Sequence, residues 1–464
     1  MEPGIHINLD RGRGESLTEQ ITSAMAAAIR EGRLLPGARL PSWRDLAAQL
    51  GVARGTVRMA YENLRDQQLV WTAGAAGTYV AKHIAAVPPS ARTIHDGEPA
   101  AGSPSPSAIF RIGVPAQDVF PFKTWSRIMG RAARAASAMP LAYPDPQGET
   151  ALRAEIAAYL CMARGMQCTP QQIFITHGFA GGLELALKVL GMARSSAWME
   201  EPGFSLTRQM LEKSGVSPIP VPVDAEGLNV EAGIALAPHA ALAVVTAGQQ
   251  APTGVTLSLA RRHALLEWAA RSDAWIVEDD YLGELQLQGR ATPALASLDR
   301  NGRVLHIGTF SKTINPGLRV GYLVAPPQLA PQVASMAGTF TSAPAPAIQL
   351  AVAEFMHDGH YLRHLRRMKR LYADRRRALG DCLASMSIPH VEAGLAVLIR
   401  LPDGVNDAEA AARARTAGMA PSALSWWHAN PFPGYGGLLL GVTNLAVENV
   451  SAYCQRLQDV LKSF

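Results

Sequence analysis

Residues 306–322 read HIGTFSKTINPGLRVGY, and this stretch decides the fold of the larger part of the chain. An apolar run leads into Thr309, Ser311 and Lys312, and Arg319 follows seven residues after the lysine. Hydroxyls and a guanidinium around one lysine suit a phosphate group held beside a carbonyl that reacts with amines. Lys312 can then form a Schiff base while the other three side chains hold the phosphate. A single lysine is more often a solvated surface charge, so this stretch alone leaves both interpretations open.

A second stretch, WIVEDDYLGEL at 275–285, places three acidic residues at the end of an apolar run. Carboxylates in such a place are costly unless they have partners. One of them can pair with a protonated pyridine nitrogen, and Tyr281 can hydrogen-bond a phenolic oxygen on the same ring. An acidic loop or a metal site would also fit, although the lack of nearby histidine makes a metal the weaker choice. The third stretch, QQAPTGVTLS at 249–258, predicts only a turn on its own.

Short β-rich runs alternate with amphipathic helices over this larger part of the chain. The alternation predicts an α/β sandwich built on a mostly parallel sheet. Ligands are then expected at the carboxyl ends of the strands. The predicted strands are 173–176, 197–200, 241–246, 275–278 and 304–307, and the predicted helices include 182–190 and 259–270.

In this order, at spacings of about thirty residues, the three stretches resemble those of a fold-type I pyridoxal 5′-phosphate (PLP) aminotransferase. The resemblance covers roughly residues 110–462 and includes YPDPQGETALRAEIAAYL, GFAGGLELAL and MEEPGF. It implies an α/β fold-type I PLP-dependent transferase domain over 109–464. Within that domain it implies a smaller C-terminal α+β subdomain at about 345–464.

The resemblance also implies roles for individual residues. Lys312 matches the Schiff-base lysine, Asp279 the partner of the pyridine nitrogen, and Tyr281 the donor to the phenolic oxygen. Tyr143 matches a tyrosine that reaches the phosphate in the partner subunit, so a homodimer is implied. The residues that match the other cofactor contacts, at the phosphate or beside the ring, are Thr309, Ser311, Arg319, Gly178, Phe179, Ala180 and Phe204.

Two departures from the aminotransferase pattern concern the ligand. Ala251 stands where aminotransferases usually carry an asparagine that bonds the ring oxygen, and Leu439 matches the arginine that clamps the substrate's α-carboxylate. An alkyl chain cannot replace a bidentate guanidinium. Either another arginine, such as Arg208, takes that role, or the small-molecule effector lacks an ordinary α-carboxylate. We therefore expect the effector to be PLP itself or an amine of unusual shape, such as a sulfonate or a masked amino acid.

The first 83 residues carry a different pattern, of three helices followed by a hairpin. Ser42 can cap a second helix over 43–50, and a short turn leads to a third helix at about 53–67. Two β-rich runs, 69–72 and 78–81, flank AGAAG and predict a two-stranded wing. The apolar stripe of the first helix consists of Leu17, Ile21, Met25 and Ile29.

The stretch GARLPSWRDLAAQLGVARGTVRMAYENLRDQQLVWTAGAAGTYV, residues 37–80, closely resembles the winged helix of GntR-type transcription regulators. Arginines early in the third helix lie where a recognition helix meets the major groove, although spacing alone would also fit solvated arginines. Ala53 stands where these proteins usually carry serine or threonine, so a helix cap is expected to be missing. By the resemblance, the contacts to double-stranded DNA are Arg44, Arg54, Thr56, Arg58 and Gly77.

A winged helix, a linker and an aminotransferase-like domain together form the layout of the MocR subfamily of GntR regulators. The boundaries that we predict are 1–83 for the winged helix-turn-helix, 84–108 for a flexible linker rich in Pro, Ala, Ser and Gly, and 109–464 for the PLP-binding effector domain. The resemblance implies a regulator that senses an amine or vitamer through PLP, without efficient turnover. An active aminotransferase with an appended DNA-binding domain is the alternative.

Composition excludes several other classes of protein. The 464 residues are 48% apolar and 17% charged, which excludes a mostly disordered chain. Neither a membrane span nor a secretory signal is evident, and the four cysteines lack metal or disulfide spacing, so we expect a cytoplasmic protein without a metal. The net charge of +5 permits nucleic-acid binding without establishing it. The basic run 361–379 is more often a solvated helix face than a DNA contact.

Overall fold

The chain forms two compact units, Met1–Ala101 and Gly102–Phe464, in a computed structural model. The predicted linker, 84–108, lies outside the described residues except for Ala108. Within the described part of the chain, no helix is both long and apolar enough to cross a membrane. The structure describes residues 7, 9–10, 15–73, 77–81, 108–140, 142–287, 289, 291–340, 343–402, 404–429, 436–462 and 464.

The small unit has the three helices and the two-stranded wing that the sequence predicts. Ser16 and Ser42 each cap a helix, because their side chains accept hydrogen bonds from backbone N–H groups of the first turn. Ile21, Met25 and Ile29 of the apolar stripe are buried together with residues of the other two helices. The elements are α1 (Leu17–Arg30), α2 (Trp43–Leu50), α3 (Arg54–Asp66), β1 (Val70–Thr72) and β2 (Thr78–Val80), and the two strands pair antiparallel.

The large unit is built on an eight-stranded sheet in the order β3-β10-β9-β8-β7-β4-β5-β6. The central strands β9, β8, β7, β4 and β5 run parallel. Strand β10 pairs antiparallel with both β9 and β3, so β3 runs in the direction of the central strands, and β6 pairs antiparallel with β5. Its elements are α4 (Phe122–Ser137), α5 (Thr150–Arg164), β3 (Ile173–Thr176), α6 (Gly178–Val189), β4 (Ser196–Glu201), α7 (Ser205–Lys213), β5 (Ser217–Asp224), β6 (Gly227–Leu228), α8 (Val230–Leu236), β7 (Leu242–Val245), α9 (Leu259–Arg271), β8 (Trp275–Asp280), β9 (Val304–Thr309), β10 (Gly321–Val324), α10 (Ala330–Phe340) and α11 (Pro346–His357).

Alternate residues of the parallel strands enter two different hydrophobic clusters. In β7, Leu242 and Val244 pack into one cluster, whereas Ala243 and Val245 pack into the other. Because side chains of a strand point alternately to the two faces of a sheet, both faces of this sheet are covered. The predicted α/β sandwich with a mostly parallel sheet is thereby confirmed.

A second, antiparallel sheet of four strands lies toward the C-terminus, in the order β11-β12-β14-β13. This sheet and its helices give the expected α+β arrangement. The elements are α12 (His360–Ser385), β11 (His390–Ala393), β12 (Ala396–Arg400), α13 (Asp407–Thr416), β13 (Ser422–Ala423), β14 (Gly437–Gly441) and α14 (Val450–Leu461).

Candidate functional site

A cavity of about 460 Å³ opens at the carboxyl ends of the parallel strands in the large unit. Thr246 follows β7, Asp279 is the penultimate residue of β8, and Thr309 ends β9. All three line this cavity. Strand ends that meet at one edge of a parallel sheet are where ligands bind in α/β folds. The fold thus collects side chains that are far apart in the sequence.

The cavity brings together nine of the eleven residues that the sequence assigns to the cofactor. Gly178 is absent from the lining, although its neighbours in α6 are present. Tyr143 also lies outside it, and its side chain is fully exposed, with a relative accessibility of 101%. The nine that line the cavity are Lys312, Asp279, Tyr281, Thr309, Ser311, Arg319, Phe179, Ala180 and Phe204.

Lys312 is held in a position where its amine is shifted toward the neutral form. Its Nζ donates a hydrogen bond to the carbonyl oxygen of Gly113 at 2.8 Å. Burial lowers the pKa of Lys312 below its usual value, and the positive charges of Arg111 and Arg319 lower it further, against the opposing effect of Asp279. A neutral amine is the nucleophilic form, so this environment favours attack on a carbonyl.

Asp279 is a buried carboxylate whose Oδ1 has no hydrogen-bond partner among the described residues. Burial raises the pKa of Asp279 well above its usual value, and the negative charges of Asp280 and Glu200 add to this rise. A buried, unpaired acceptor of this kind is relieved by a cationic donor. A protonated ring nitrogen is such a donor, and it would favour the charged form of Asp279.

The residues on either side of Asp279 anchor β8 from its other face. Glu278 accepts a hydrogen bond from Leu295 N at 2.6 Å and faces His306 Nδ1 at 2.9 Å. Asp280 pairs with Arg164 at 2.8 Å, and both side chains are buried. The charge of His306 and the hydrogen bonds outweigh burial and lower the pKa of Glu278 to about 2. Because the strand alternates, Asp279 is the acid of the three that faces the cavity.

The start of α6 and the loop after β9 form a cradle suited to an anion. Arg319 adopts a left-handed backbone conformation, with φ of 52°, and its Nη2 donates to His177 O at 3.2 Å. A Cβ on Gly321 would lie 2.8 Å from the Cα of Gly178, so this close approach of two backbones requires glycine. A helix N-terminus beside a guanidinium is a favourable place for a phosphate.

Hydroxyl groups complete this cradle on the side of the lysine. Ser311 N donates to Thr309 Oγ1 at 3.2 Å, and Thr309 Oγ1 donates to Ser311 Oγ at 3.0 Å. Both side chains line the cavity. The two hydroxyls are thus oriented together beside Arg319 and Lys312.

Tyr281 is associated with Gln249, a residue that the sequence reasoning missed. A hydrogen bond with Gln249 opposes the strong rise that burial imposes on the pKa of the Tyr281 hydroxyl. Gln249 is 6% exposed and lines the cavity beside Ala251, which has no side-chain amide of its own. The flanking glutamine in QQAP is the only sequence signal that pointed to this position.

The arginine that the sequence suggested as a substitute clamp does not line the cavity. Arg208 donates to the side chain of Glu201 at 3.3 Å and to the carbonyl oxygens of Trp427 and His428. Leu439 does line the cavity, on β14. A second arginine in the lining, Arg111, was not identified from the sequence; its only signal is its place in the apolar run 108–115, AIFRIGVP.

The small unit exposes the arginines that the sequence assigns to DNA. Arg44 stacks over the ring of Trp43 at 4.8 Å, and Arg54 begins α3. Arg58 pairs with Glu62 at 3.1 Å on the exposed side of the same helix. Ala53 is the N-cap of α3 and makes no side-chain cap bond, so the missing cap is confirmed.

The other two predicted DNA contacts differ in their surroundings. Thr56 lies in the first turn of α3 and is half-buried. Gly77, in the wing, has φ of 111°, and a Cβ there would lie 3.1 Å from Arg39 Nε. Arg39 is therefore an exposed cation beside the wing that the sequence reasoning did not single out.

The basic run 361–379 falls on α12, and part of its charge is used inside the fold. Arg375 is buried and pairs with Asp118, and it also donates to Thr443 O. Arg376 is buried and pairs with Glu392 at 2.9 Å. These two arginines are structural and are not available to a phosphate backbone.

Two family models match this chain. The model for bacterial regulatory proteins of the gntR family matches residues 17–80, and the model for class I and II aminotransferases matches residues 116–420. Together they cover the small unit and most of the large one. The two matches follow the division of the chain into units.

Several transcriptional regulators match four fifths or more of this chain. The probable rhizopine catabolism regulatory protein MocR of Rhizobium meliloti is 33% identical, over 93% of this chain and 92% of its own. The pyridoxine biosynthesis transcriptional regulator PdxR of Corynebacterium glutamicum is 34% identical over 80% of each chain. The transcriptional regulator TauR of Rhodobacter capsulatus is 33% identical over 88% of each chain.

Several solved structures similar to this chain are aminotransferases. The α-aminoadipate aminotransferase LysN of Thermus thermophilus, complexed with N-(5′-phosphopyridoxyl)-L-leucine, is 26% identical with a TM-score of 0.69, over 77% of this chain and 93% of its own. The kynurenine aminotransferase of Pyrococcus horikoshii is 25% identical with a TM-score of 0.68, over 77% of this chain and 92% of its own.

Fold and cavity thus define a winged-helix protein joined to an aminotransferase-like, PLP-binding unit. The chain belongs to the GntR-family transcription regulators of the MocR type. It binds DNA and regulates transcription, and its cofactor is pyridoxal 5′-phosphate. The geometry fits this cofactor, because an unpaired buried carboxylate, an amine and an anion cradle surround one cavity.

Proposed function

We propose that this regulator uses PLP, held in the cavity of the large unit, to sense a small amine or vitamer and so to change its binding to an operator. The observation that carries the proposal is the convergence of Lys312, Asp279 and Arg319 on one cavity. An amine, a carboxylate and a guanidinium are the groups that the carbonyl, the ring nitrogen and the phosphate of PLP require. The small unit of the same chain exposes arginines on α3 for DNA.

Bound PLP supplies a carbonyl that reacts reversibly with amines and a ring that withdraws electrons. Because burial lowers the pKa of Lys312, a larger fraction of its amine is neutral at a given pH than for an exposed lysine. Asp279 would hold a proton on the ring nitrogen, and Tyr281, associated with Gln249, would donate to the ring oxygen. Arg319, with the hydroxyls of Thr309 and Ser311 and the amides at the start of α6, would bind the phosphate.

The cavity wall supports a sensor over an efficient enzyme. Leu439 occupies the place that the sequence comparison assigns to a carboxylate clamp, and it sits in the middle of β14 between Leu398 and Ser422. Correct positioning of a substrate contributes several kcal/mol to catalysis, on the order of 7–11 at best. The complete set of Lys312, Asp279 and Arg319 keeps aminotransferase activity as the second candidate.

A homodimer is part of this proposal. Tyr143 is fully exposed and does not line the cavity of its own chain. An exposed tyrosine at this position is what a contact with the cofactor phosphate of a partner subunit would require. Because its target is DNA, we also place the regulator in the cytoplasm.

Purification of the full-length chain tests the proposal. We expect a yellow protein whose visible absorbance is lost in Lys312→Ala, and a gel shift with the DNA that flanks its own gene. An added amine that shifts both the absorbance and the DNA affinity would support the sensor. A colourless protein after incubation with PLP would overturn the proposal. Turnover of an amino acid with an oxo acid at roughly 1 s⁻¹ or faster would favour the enzyme.

A further inference from the structure

The segment that carries Arg111 is fixed against the second sheet. Gly441, at the end of β14, donates its N–H to the carbonyl oxygen of Phe110 at 2.9 Å. A Cβ atom on Gly441 would collide with the carbonyl oxygen of Arg111, so this approach of two backbones requires glycine. The backbone at Arg111 therefore has a defined place beside β14.

Leu439 and Gly441 lie on the same face of β14, because alternate residues of a strand share a face. The backbone of Arg111 abuts that face, and the side chains of Arg111 and Leu439 both line the cavity. The arginine thus enters the wall from the neighbouring segment, at the place where β14 itself supplies a leucine.

Arg111 is also close to the reactive amine. Lys312 Nζ donates to the carbonyl oxygen of Gly113, two residues after Arg111, at 2.8 Å. The charge of Arg111 contributes to the lowered pKa of Lys312. No carboxylate among the described residues pairs with the Arg111 guanidinium.

The two other arginines considered for a ligand are engaged elsewhere. Arg319 donates to His177 O and stands at the anion cradle beside α6. Arg208 pairs with Glu201 and bonds two carbonyl oxygens outside the cavity. Of the guanidinium groups that line the cavity, Arg111 is the one that the phosphate does not require.

We propose that Arg111 binds the acidic group of the effector, a carboxylate or sulfonate carried by a primary amine, while the amine faces Lys312. The inference rests on the proposed function, because it names the effector's chemical class at the same site. A planar guanidinium binds either oxyanion in a bidentate manner. The adjoining wall is apolar, with Ile112, Leu395 and Ala396, so the carbon chain between the two groups carries no further charge.

Three amines that differ only in one end group provide the test. β-Alanine carries a carboxylate, taurine a sulfonate and propylamine a methyl group on the same two-carbon chain. Each would be titrated into the full-length PLP-loaded protein while the visible absorbance of the cofactor is followed. We expect both acidic amines to act at lower concentrations than propylamine. The acidic amine that acts at the lower concentration shows whether the site prefers a carboxylate or a sulfonate.

Variants at position 111 give the second arm. Arg111→Gln should reduce the preference for the acidic amines over propylamine roughly 10- to 100-fold, as the loss of a charged hydrogen-bond pair implies. The preference is taken as a ratio because the lost charge also acts on Lys312, and this effect is common to all three amines. The affinity of Arg111→Lys for the acidic amines should lie between those of the wild type and Arg111→Gln, because lysine keeps the positive charge but cannot bind an oxyanion in a bidentate manner. Arg271→Gln, at an exposed position in the last turn of α9, is the matched control and should behave as the wild type.

The outcomes separate this inference from the proposed function. A wild-type protein that binds no PLP would overturn the proposed function. Equal responses to the three amines, or an unchanged preference in Arg111→Gln, would overturn only the role of Arg111. Loss of PLP from Arg111→Gln and Arg111→Lys, with PLP retained in Arg271→Gln, would assign Arg111 to the cofactor and would also overturn the inference.

Discussion

Lys312 and Asp279 line the same cavity without forming an ion pair with each other. Lys312 Nζ donates instead to Gly113 O, and Asp279 Oδ1 has no partner among the described residues. Burial moves both groups toward their neutral forms, since it lowers the pKa of the lysine and raises that of the aspartate. Because neither group neutralises the other, the two remain separately available for the carbonyl and the ring nitrogen of one cofactor.

Asp279→Asn should have opposite effects in the two forms of the protein. With PLP, the variant should bind the cofactor about 1.5–3 kcal/mol more weakly, because an amide does not balance the charge of a protonated ring nitrogen. Without PLP, the raised pKa means that the folded form holds a proton more tightly than the unfolded chain. The free energy of unfolding of the wild type therefore decreases as the pH rises from 3.8 through the raised pKa of Asp279. Asp279→Asn has no carboxyl group at this position, so its free energy of unfolding should not show this decrease.

Urea unfolding of both cofactor-free proteins at about pH 5 and pH 8 measures this difference, since a linear extrapolation gives each free energy. Asp381→Asn, at an exposed position on α12, is the control and should follow the wild type at both pH values. Parallel losses of stability in the wild type and in Asp279→Asn would contradict the prediction.

Attachment of PLP to the cofactor-free protein should depend on pH through Lys312. Since the pKa of this amine lies below 10.5, the neutral fraction at a given pH exceeds that of a free lysine side chain. The attachment rate should therefore rise with pH and level off at a lower pH than for Nα-acetyl-lysine. In Arg111→Gln the profile should move to higher pH, because a positive charge that lowers the pKa is removed. Stopped-flow absorbance gives the rates, and coincident profiles for protein and model amine would refute the prediction.

The parts of this site that the sequence predicts are those that lie on regular elements. The strands that end at Asp279 and Thr309 follow from their apolar runs, and the carboxyl ends of parallel strands must meet. Arg111 and Gln249 lie in irregular segments, where no periodicity indicates which way a side chain points. Their places depend on contacts between distant segments, such as Gly441 with Phe110.

Strand β5 shows another limit of pattern reading. Its sequence, SPIPVPVD, carries a proline at every second position, which argues against a strand within a sheet. The prolines share one side of the strand's hydrogen-bonding pattern, because alternate residues direct their N–H groups the same way. The strand pairs with β4 nonetheless, and the sequence reasoning did not predict it.

Arg54→Ala should weaken operator binding. Arg54 is exposed at the first position of α3, where a recognition helix meets base edges and phosphates. The loss should be about 1–3 kcal/mol if it contacts a base, and a lower salt dependence of affinity would indicate a phosphate instead. Fluorescence anisotropy at two salt concentrations measures both. Arg30→Ala, at the exposed end of α1, should leave the affinity nearly unchanged, and equal affinities for the two variants would remove Arg54 from the interface.

Ala53→Ser should stabilise the small unit, because the backbone at this position already has the conformation of a capped helix. Ala53 has φ of −64° and ψ of 140°, close to the −63° and 148° of Ser42, whose side chain accepts from Asp45 N at 3.2 Å. A serine hydroxyl at 53 should therefore accept from Thr56 N, which corresponds to Asp45 N and already donates to Ala53 O at 3.0 Å. We expect this second acceptor to add about 1 kcal/mol. A gain of this size corresponds to a rise in Tm of roughly 4–8 °C for a unit of this length.

Calorimetry of the full-length protein without DNA should show this rise in the transition of the small unit, with the large unit unchanged. Ser42→Ala is the matched control, since it removes the equivalent bond from α2 and should lower the same transition by a similar amount. Ala53→Thr supplies the same hydroxyl on a bulkier side chain and should also raise the transition, by a similar or smaller amount. If Ala53→Ser leaves the transition unchanged while Ser42→Ala lowers it, the hydrogen bond from Thr56 N to Ala53 O already satisfies the N–H that the serine would cap. Alanine at position 53 would then not lower the stability of the small unit, and any effect of this residue should appear in the affinity for DNA.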